Sequence, residues 1–290
     1  MPFDPIFWRR LMSDTAAPER GRNDLPAGTG RDPARFADAI RLHALRMVAP
    51  QGFGYLGQAL SCAELVATLY TSAYRPEIDD VVCSPGHYIL AFYAAEAEVG
   101  RLDPALLDTY GKNDSDLEAI GTERSPGVDL TGGSLGMGLS GAIGFALANR
   151  LSGTQGFTYA LISDGELQEG QIWEAALFAG HNKLNRLVVL LDANNSQVDG
   201  PVDTITTLEP IADKWRAFGW AAHDIDGHDP EAIDRALKAA LQSELPTILI
   251  GRTSTRTGLA CLPADADGHF IKLPEELTRL ATEELESRLA

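Results

Sequence analysis

Cysteine is scarce: Cys62, Cys83 and Cys261 are the only three in 290 residues. Their number is odd and their spacing fits no metal cluster, which argues against a disulfide framework and sets a reducing, cytoplasmic environment as the expectation. Positive charge is also short. Lys and Arg number 24 against 41 Asp and Glu, a net charge of −17. Such a surplus excludes a nucleic-acid partner as the working expectation, because phosphates repel it. A phosphorylated small molecule is not excluded, since backbone amides and a metal supply positive charge locally. No apolar run reaches ~18 residues, so no transmembrane helix and no membrane partner are expected. Secretory h-region, internal repeat and low-complexity tract are all lacking.

What is present suits one large domain. Residues 1–32 are polar, with Pro, Gly and Arg scattered through them, and read as a flexible arm in which Phe7, Trp8 and Leu11 form at most one apolar turn. From residue 33 to 290 the pattern is globular. Apolar spacing predicts helices over 35–48, 88–99, 103–110, 139–151, 168–179, 230–241 and 275–289. Residues 51–57 carry three glycines and read as a loop. Ser61 then reads as the N-cap of a helix running to 69, with Glu64 in the capping-box position. Strands are expected at 80–83, 157–162, 187–191, 221–225 and 247–251. Two of these, 157–162 and 187–191, are apolar without alternation, as strands covered on both faces are. Strand and helix alternate, which predicts an α/β fold with a largely parallel sheet and helices on both faces.

Chemistry concentrates in residues 162–200. Asp164-Gly165 falls where one strand ends, and Asn194, thirty residues on, falls just past the end of the next. Open α/β sheets bind ligands at such strand ends. A carboxylate and an amide oxygen converging there suit Mg²⁺, which takes about six oxygens and shares them with substrate phosphates. Gly165 leaves room for a phosphate against its backbone. Asp-Gly after a strand is ordinarily a turn, so the weight rests on Asn194 and on the neighbouring words. The loop TGGSLGMG at 131–138 suggests a nucleotide loop, but the companions of a dinucleotide fold are missing.

Those words are SPGH at 84–87, GQALSCAEL at 57–65, PGVDLTGGSLGMG at 126–138, and ELQEG with VVLLDANNSQVDG between 166 and 200. Together with Asp164-Gly165 and Asn194 they resemble the transketolase family of thiamine-diphosphate enzymes, over roughly residues 35–275. Ser163 replaces the first glycine of the Gly-Asp-Gly fingerprint. The resemblance implies a thiamine diphosphate and Mg²⁺ site. Asp164, Asn194 and the carbonyl of Ser196 match the metal ligands. Gly165 matches a diphosphate donor, Gly133, Ser134 and Leu135 a loop beside the cofactor rings, and Val198 the aliphatic contact of the thiazolium. Glu169 matches a glutamate buried between subunits. His87 and His269 match histidines of the catalytic channel. His43, His181, His223 and His228 lie in no such word.

The resemblance covers only the diphosphate-binding half of the family's site. It implies a partner chain, the separate aminopyrimidine-binding (C-terminal) transketolase subunit, in an α₂β₂ assembly. A two-carbon ketol or acyl unit would pass from a ketone donor to an aldehyde acceptor. Two positions depart from the family. Tyr55 and Ile120 stand where histidines usually face sugar hydroxyls, which points to a modified sugar or a non-sugar 2-oxo acid as donor. The alternatives are the α subunit of a 2-oxo acid decarboxylating complex and a non-catalytic cofactor-binding scaffold.

Overall fold

The computed structural model describes residues 30–263 and 265–290; the expected arm at 1–32 lies outside them except for its last three residues. Helix α1, Pro33–Val48, starts where the sequence signals a start: Pro33 occupies the first turn, and the Asp32 carboxylate accepts from the Ala34 amide at 3.0 Å. After a short 3₁₀ turn come β1, Phe53–Gly54, and α2, Leu56–Ser72. Here the structure corrects the sequence. Ser61 is not an N-cap, because α2 begins five residues earlier. Its hydroxyl is buried and donates to Asp192, while Glu64 pairs with Arg41 (2.6 Å) and His228 (3.0 Å) instead of closing a capping box.

The chain continues through β2, Asp80–Pro85; α3, Ile89–Glu98; β3, Leu130–Gly132; α4, Met137–Ser152; β4, Thr158–Ser163; α5, Gly170–His181; and β5, Leu187–Ala193. It ends with α6, Val202–Ile205; α7, Ile211–Ala217; β6, Ala221–Asp226; α8, Pro230–Ala240; β7, Thr247–Arg252; β8, Ile271–Lys272; and α9, Glu275–Leu289. The helix expected at 103–110 is a 3₁₀ segment, Pro104–Thr109, and β3 was not expected.

Six strands form one sheet in the order β3-β2-β4-β5-β7-β6, every neighbouring pair parallel. Cys83, Leu161, Leu190 and Leu249 lie side by side across it, and their row faces a core built with α1, α2, α3, α8 and α9. The alternate row, Val82, Ala160, Val189 and Ile248, faces α4, α5 and α7. Burial on both faces explains why these strands read as unbroken apolar runs. A separate antiparallel ribbon pairs β1 with β8, Phe53 opposite Lys272. Among the described residues no helix is long and apolar enough to cross a membrane.

Candidate active site at the strand ends

The carboxyl ends of β2, β4, β5 and β7 bring the chemistry-bearing words to one rim. β4 and β5 pair Ser163 with Asp192, so Asp164 leaves its strand directly beside the loop that carries Asn194. The Asp164 carboxylate is 4% exposed. Oδ1 accepts from the Gly165 amide at 2.9 Å, and Oδ2 from the Asn195 amide at 2.6 Å. No cationic side chain pairs with it among the described residues. Burial, and then the Asp192 carboxylate nearby, push its pKa up to about 7. Asn195 sits at φ 57°, a left-handed conformation that Asn tolerates better than most residues, and turns the loop back so that the Ser196 amide donates to Asn194 Oδ1 at 2.9 Å.

Asp192 is wholly buried. Ser61, Thr253, Tyr88 and Asn194 all donate to it, which opposes the upward shift that burial imposes on its carboxyl. The amide nitrogen of Asn194 donates to Asp192 Oδ2 (2.7 Å) and to the Tyr88 hydroxyl (2.9 Å). Carboxylate oxygen only accepts, so this contact fixes which end of the Asn194 amide is oxygen.

Glu166 performs a second junction. It is wholly buried and accepts from Ser84 Oγ (2.5 Å), the Gly136 amide (2.7 Å) and the Ser163 amide (3.0 Å). Three separate sequence words are thereby tied to one carboxylate. The turn and the glycine loop approach too closely for side chains: a Cβ on Gly138 would lie 2.4 Å from Ser84 Oγ.

The rim also gathers an aromatic group. The Tyr55 ring lies 5.1 Å from His87 and 5.8 Å from His269, and the two imidazoles are 5.2 Å apart, centroid to centroid. Phe270 and Phe53 extend the group outward. Burial and the adjacent His269 hold the His87 pKa down to about 3, so this ring is neutral across the working range. His269 is buried and also shifted down by burial, opposed by Asp267 and by a hydrogen bond to the Ser196 backbone.

A family model described as the transketolase thiamine diphosphate binding domain matches residues 33–285. The chain belongs to this transketolase family. It is 38% identical over 260 residues to the 6-deoxy-6-sulfo-D-fructose transketolase subunit SqwG of a Clostridium species, covering 86% of this chain and 94% of that protein. It is 34% identical over 261 residues to an apulose-4-phosphate transketolase subunit of Actinobacillus succinogenes, covering 86% and 94%. Among solved structures, the transketolase of Campylobacter jejuni superposes with a TM-score of 0.79 at 26% identity. That match spans 88% of this chain but 42% of the other, so this chain covers the thiamine diphosphate-binding part of a full-length transketolase.

Within this transketolase domain, Asp164, Asn194, Ser196, Gly165, His87 and His269 lie on one rim, with Tyr55 among them. Gly133, Ser134 and Leu135 are exposed on the loop leading into α4, and Val198 stands 77% exposed on the turn closed by Gln197 and Gly200. Glu169, matched to a glutamate buried between subunits, is exposed in the single chain, and Glu166, three residues before it, is buried within the chain. Glu166 and Asp192 are the two residues that sequence reasoning passed over. Their only signal was position, each a carboxylate at or just past the end of an apolar strand.

A divalent cation fits this donor set. Asp164 is a buried carboxylate without a counter-charge, and a cation removes the penalty that raises its pKa. Among the described residues no three His, Cys, Asp or Glu side chains converge as a cage. A cation held there would draw further oxygens from Asn194 and a backbone carbonyl, a donor set that suits a hard cation keeping water or phosphate ligands.

Proposed function

We propose that this chain is the thiamine diphosphate- and Mg²⁺-binding subunit of a two-chain transketolase-like transferase. The enzyme moves a two-carbon ketol unit from a ketone donor to an aldehyde acceptor. The observation that carries the reading is the uncompensated Asp164 carboxylate, bonded to the Asn195 amide at the meeting of two parallel strand ends. Asp164, Asn194 and the Ser196 carbonyl would hold the cation. Glycines 133 and 165 leave room for the cofactor, and exposed Val198 would meet its ring. The cofactor, when bound, supplies the carbanion chemistry. This chain orients it and encloses one side, with neutral His87 and His269 facing the reacting groups.

Two relatives matched over nearly their whole length are named as subunits. This supports a partner chain; in our reading that chain binds the aminopyrimidine, and the two form an α₂β₂ assembly in the cytoplasm. Met137, Leu177 and Phe178 are exposed apolar side chains available to such a contact. One of these relatives is named for a sulfonated deoxy-sugar, which agrees with the donor specificity that Tyr55 and Ile120 suggest: a modified or less hydroxylated ketone.

Calorimetry of the chain co-expressed with its partner tests the reading. Wild type binds thiamine diphosphate in a Mg²⁺-dependent manner, and Asp164→Ala abolishes that dependence, because neutral acceptors do not replace the lost charge. Equal affinities would remove Asp164 from the site. Turnover appears only in the complex; ketol transfer by the isolated chain overturns the two-subunit reading. Pyruvate oxidation with an external electron acceptor would instead mark the α chain of a 2-oxo acid decarboxylating complex.

A further inference from the structure

Helix α2 reaches the candidate cation site through two side chains one turn apart, and neither belongs to the donor set. Ser61 donates to Asp192 Oδ2 at 2.5 Å, and the same oxygen accepts from Asn194 Nδ2 at 2.7 Å. Gln58, 1% exposed, donates through Nε2 to both His269 Nδ1 (3.0 Å) and the His269 carbonyl (2.9 Å). A backbone carbonyl only accepts, so the Gln58 amide has one orientation. His269 Nδ1 is then the acceptor and its proton sits on Nε2, free for the hydrogen bond to the Ser196 backbone. The same choice leaves Gln58 Oε1 buried with no partner. A lone buried acceptor is unfavourable, and a fold retains one where the amide is needed elsewhere.

Backbone contact makes the approach possible. A Cβ on Gly57 would lie 1.8 Å from the Gly268 carbonyl oxygen, and one on Gly268 would lie 2.2 Å from Thr255 Oγ1 and 3.3 Å from Ser196 Oγ. Helix α2 and the segment before His269 therefore meet backbone to backbone, with the Thr255 and Ser196 side chains packed against Gly268.

We propose that the buried face of α2 sets the geometry of the cation loop through two relays, Ser61–Asp192–Asn194 and Gln58–His269–Ser196. One relay aims the amide oxygen of Asn194, and the other aims the carbonyl of Ser196. Ser61, Gln58 and Asp192 are positioning residues, and His269 acts on the loop as well as facing the channel. The inference rests on the reading of Asp164, Asn194 and Ser196 as cation ligands. Partners of this kind around a metal ordinarily change its affinity by roughly ten- to a hundredfold.

The test uses the chain co-expressed with its partner and Mn²⁺, an oxygen-seeking ion that is visible by electron paramagnetic resonance, added with thiamine diphosphate. Asp192→Asn leaves one acceptor oxygen for four donors, Ser61→Ala cuts the first relay, and Gln58→Met cuts the second at similar volume. Val66→Ala, in the same helix but outside both relays, serves as the packing control. Each of the three relay variants is expected to weaken Mn²⁺ binding tenfold or more and to alter the spectrum of the bound ion. Val66→Ala lowers the melting temperature yet binds as wild type does. If Asp192→Asn fails to fold, the other two carry the test. Ser61→Ala and Gln58→Met binding within tenfold of wild type overturns the proposal, as does a loss in Val66→Ala that matches theirs. A wild-type complex that takes up no Mn²⁺ removes the cation reading itself, and the inference with it; the two failures are thus distinct.

Discussion

Ser84 Oγ and Glu166 Oε1 are 2.5 Å apart although 82 residues separate them in the chain. Through that contact the end of β2 and the turn after β4 share one buried carboxylate, which the Gly136 amide also joins. The rim is held by a side chain at its centre, with the glycine loop seated against it.

Glu166→Ala is therefore expected to destabilise the chain by about 3 kcal/mol, since three buried donors lose their acceptor; Glu166→Gln, which keeps one oxygen, costs about half as much. Urea unfolding measures both. A midpoint unchanged in Glu166→Ala would mean that water satisfies those donors equally well.

Tyr55 and Ile120 set a second expectation. The Tyr55 ring packs edge-on to His269 and Phe270, and Ile120 is exposed beside Gly86 and Gly133. Neither offers the imidazole that would meet a sugar hydroxyl. The assembled enzyme should turn over xylulose 5-phosphate and ribose 5-phosphate poorly. The double variant Tyr55→His, Ile120→His should raise kcat/KM for xylulose 5-phosphate by about tenfold or more, because a site with matching donors favours hydroxylated substrates steeply. Steady-state kinetics on a donor panel decides this. A wild-type preference for xylulose 5-phosphate over every other donor would show that the two positions do not direct specificity.

His87 gives a pH dependence. Its pKa is about 3 in the folded chain, against 6.5 for the unfolded residue. The unfolded state therefore binds the proton more tightly, so the stability this group contributes is complete above pH 6.5 and is lost as pH falls toward 3. At pH 5 the loss is about 2 kcal/mol relative to neutral pH. His87→Leu should flatten that part of the profile, as read from urea melts at about pH 5 and pH 7.5. Parallel profiles for the two proteins would place the acid sensitivity elsewhere.

The parallel sheet was legible because strands such as Leu187–Ala193 are buried on both faces, and burial writes itself into sequence as an unbroken apolar run. Asp164 and Asn194 were legible because the spacing of two strand ends is fixed by the helix between them. Ser61 was misread because a serine ahead of an apolar helical stretch is a local signal, whereas its actual partner, Asp192, is 131 residues away. Glu64 failed the same way, its partners being Arg41 and His228. Strand β3 hid inside the glycine-rich word, since three residues are too few to show a period. Asp192 and Glu166 went unseen because a buried carboxylate is recognised by its donors, and theirs come from distant segments.

The β1–β8 ribbon carries a consequence for how such an enzyme changes its diet. Its strands are joined through main-chain atoms, including a 2.7 Å bond from the Leu273 amide to the Gly52 carbonyl. Phe53 on β1 and Phe270 just before β8 lean on each other at 5.2 Å, with Tyr55 beside them. The backbone would close this ribbon whatever side chains stood there, whereas Gly57 two positions beyond Tyr55 tolerates no replacement. Side chains on this edge of the rim can thus be exchanged one at a time while the backbone that carries them stays in place, so related chains can diverge in what they accept without relearning how to fold.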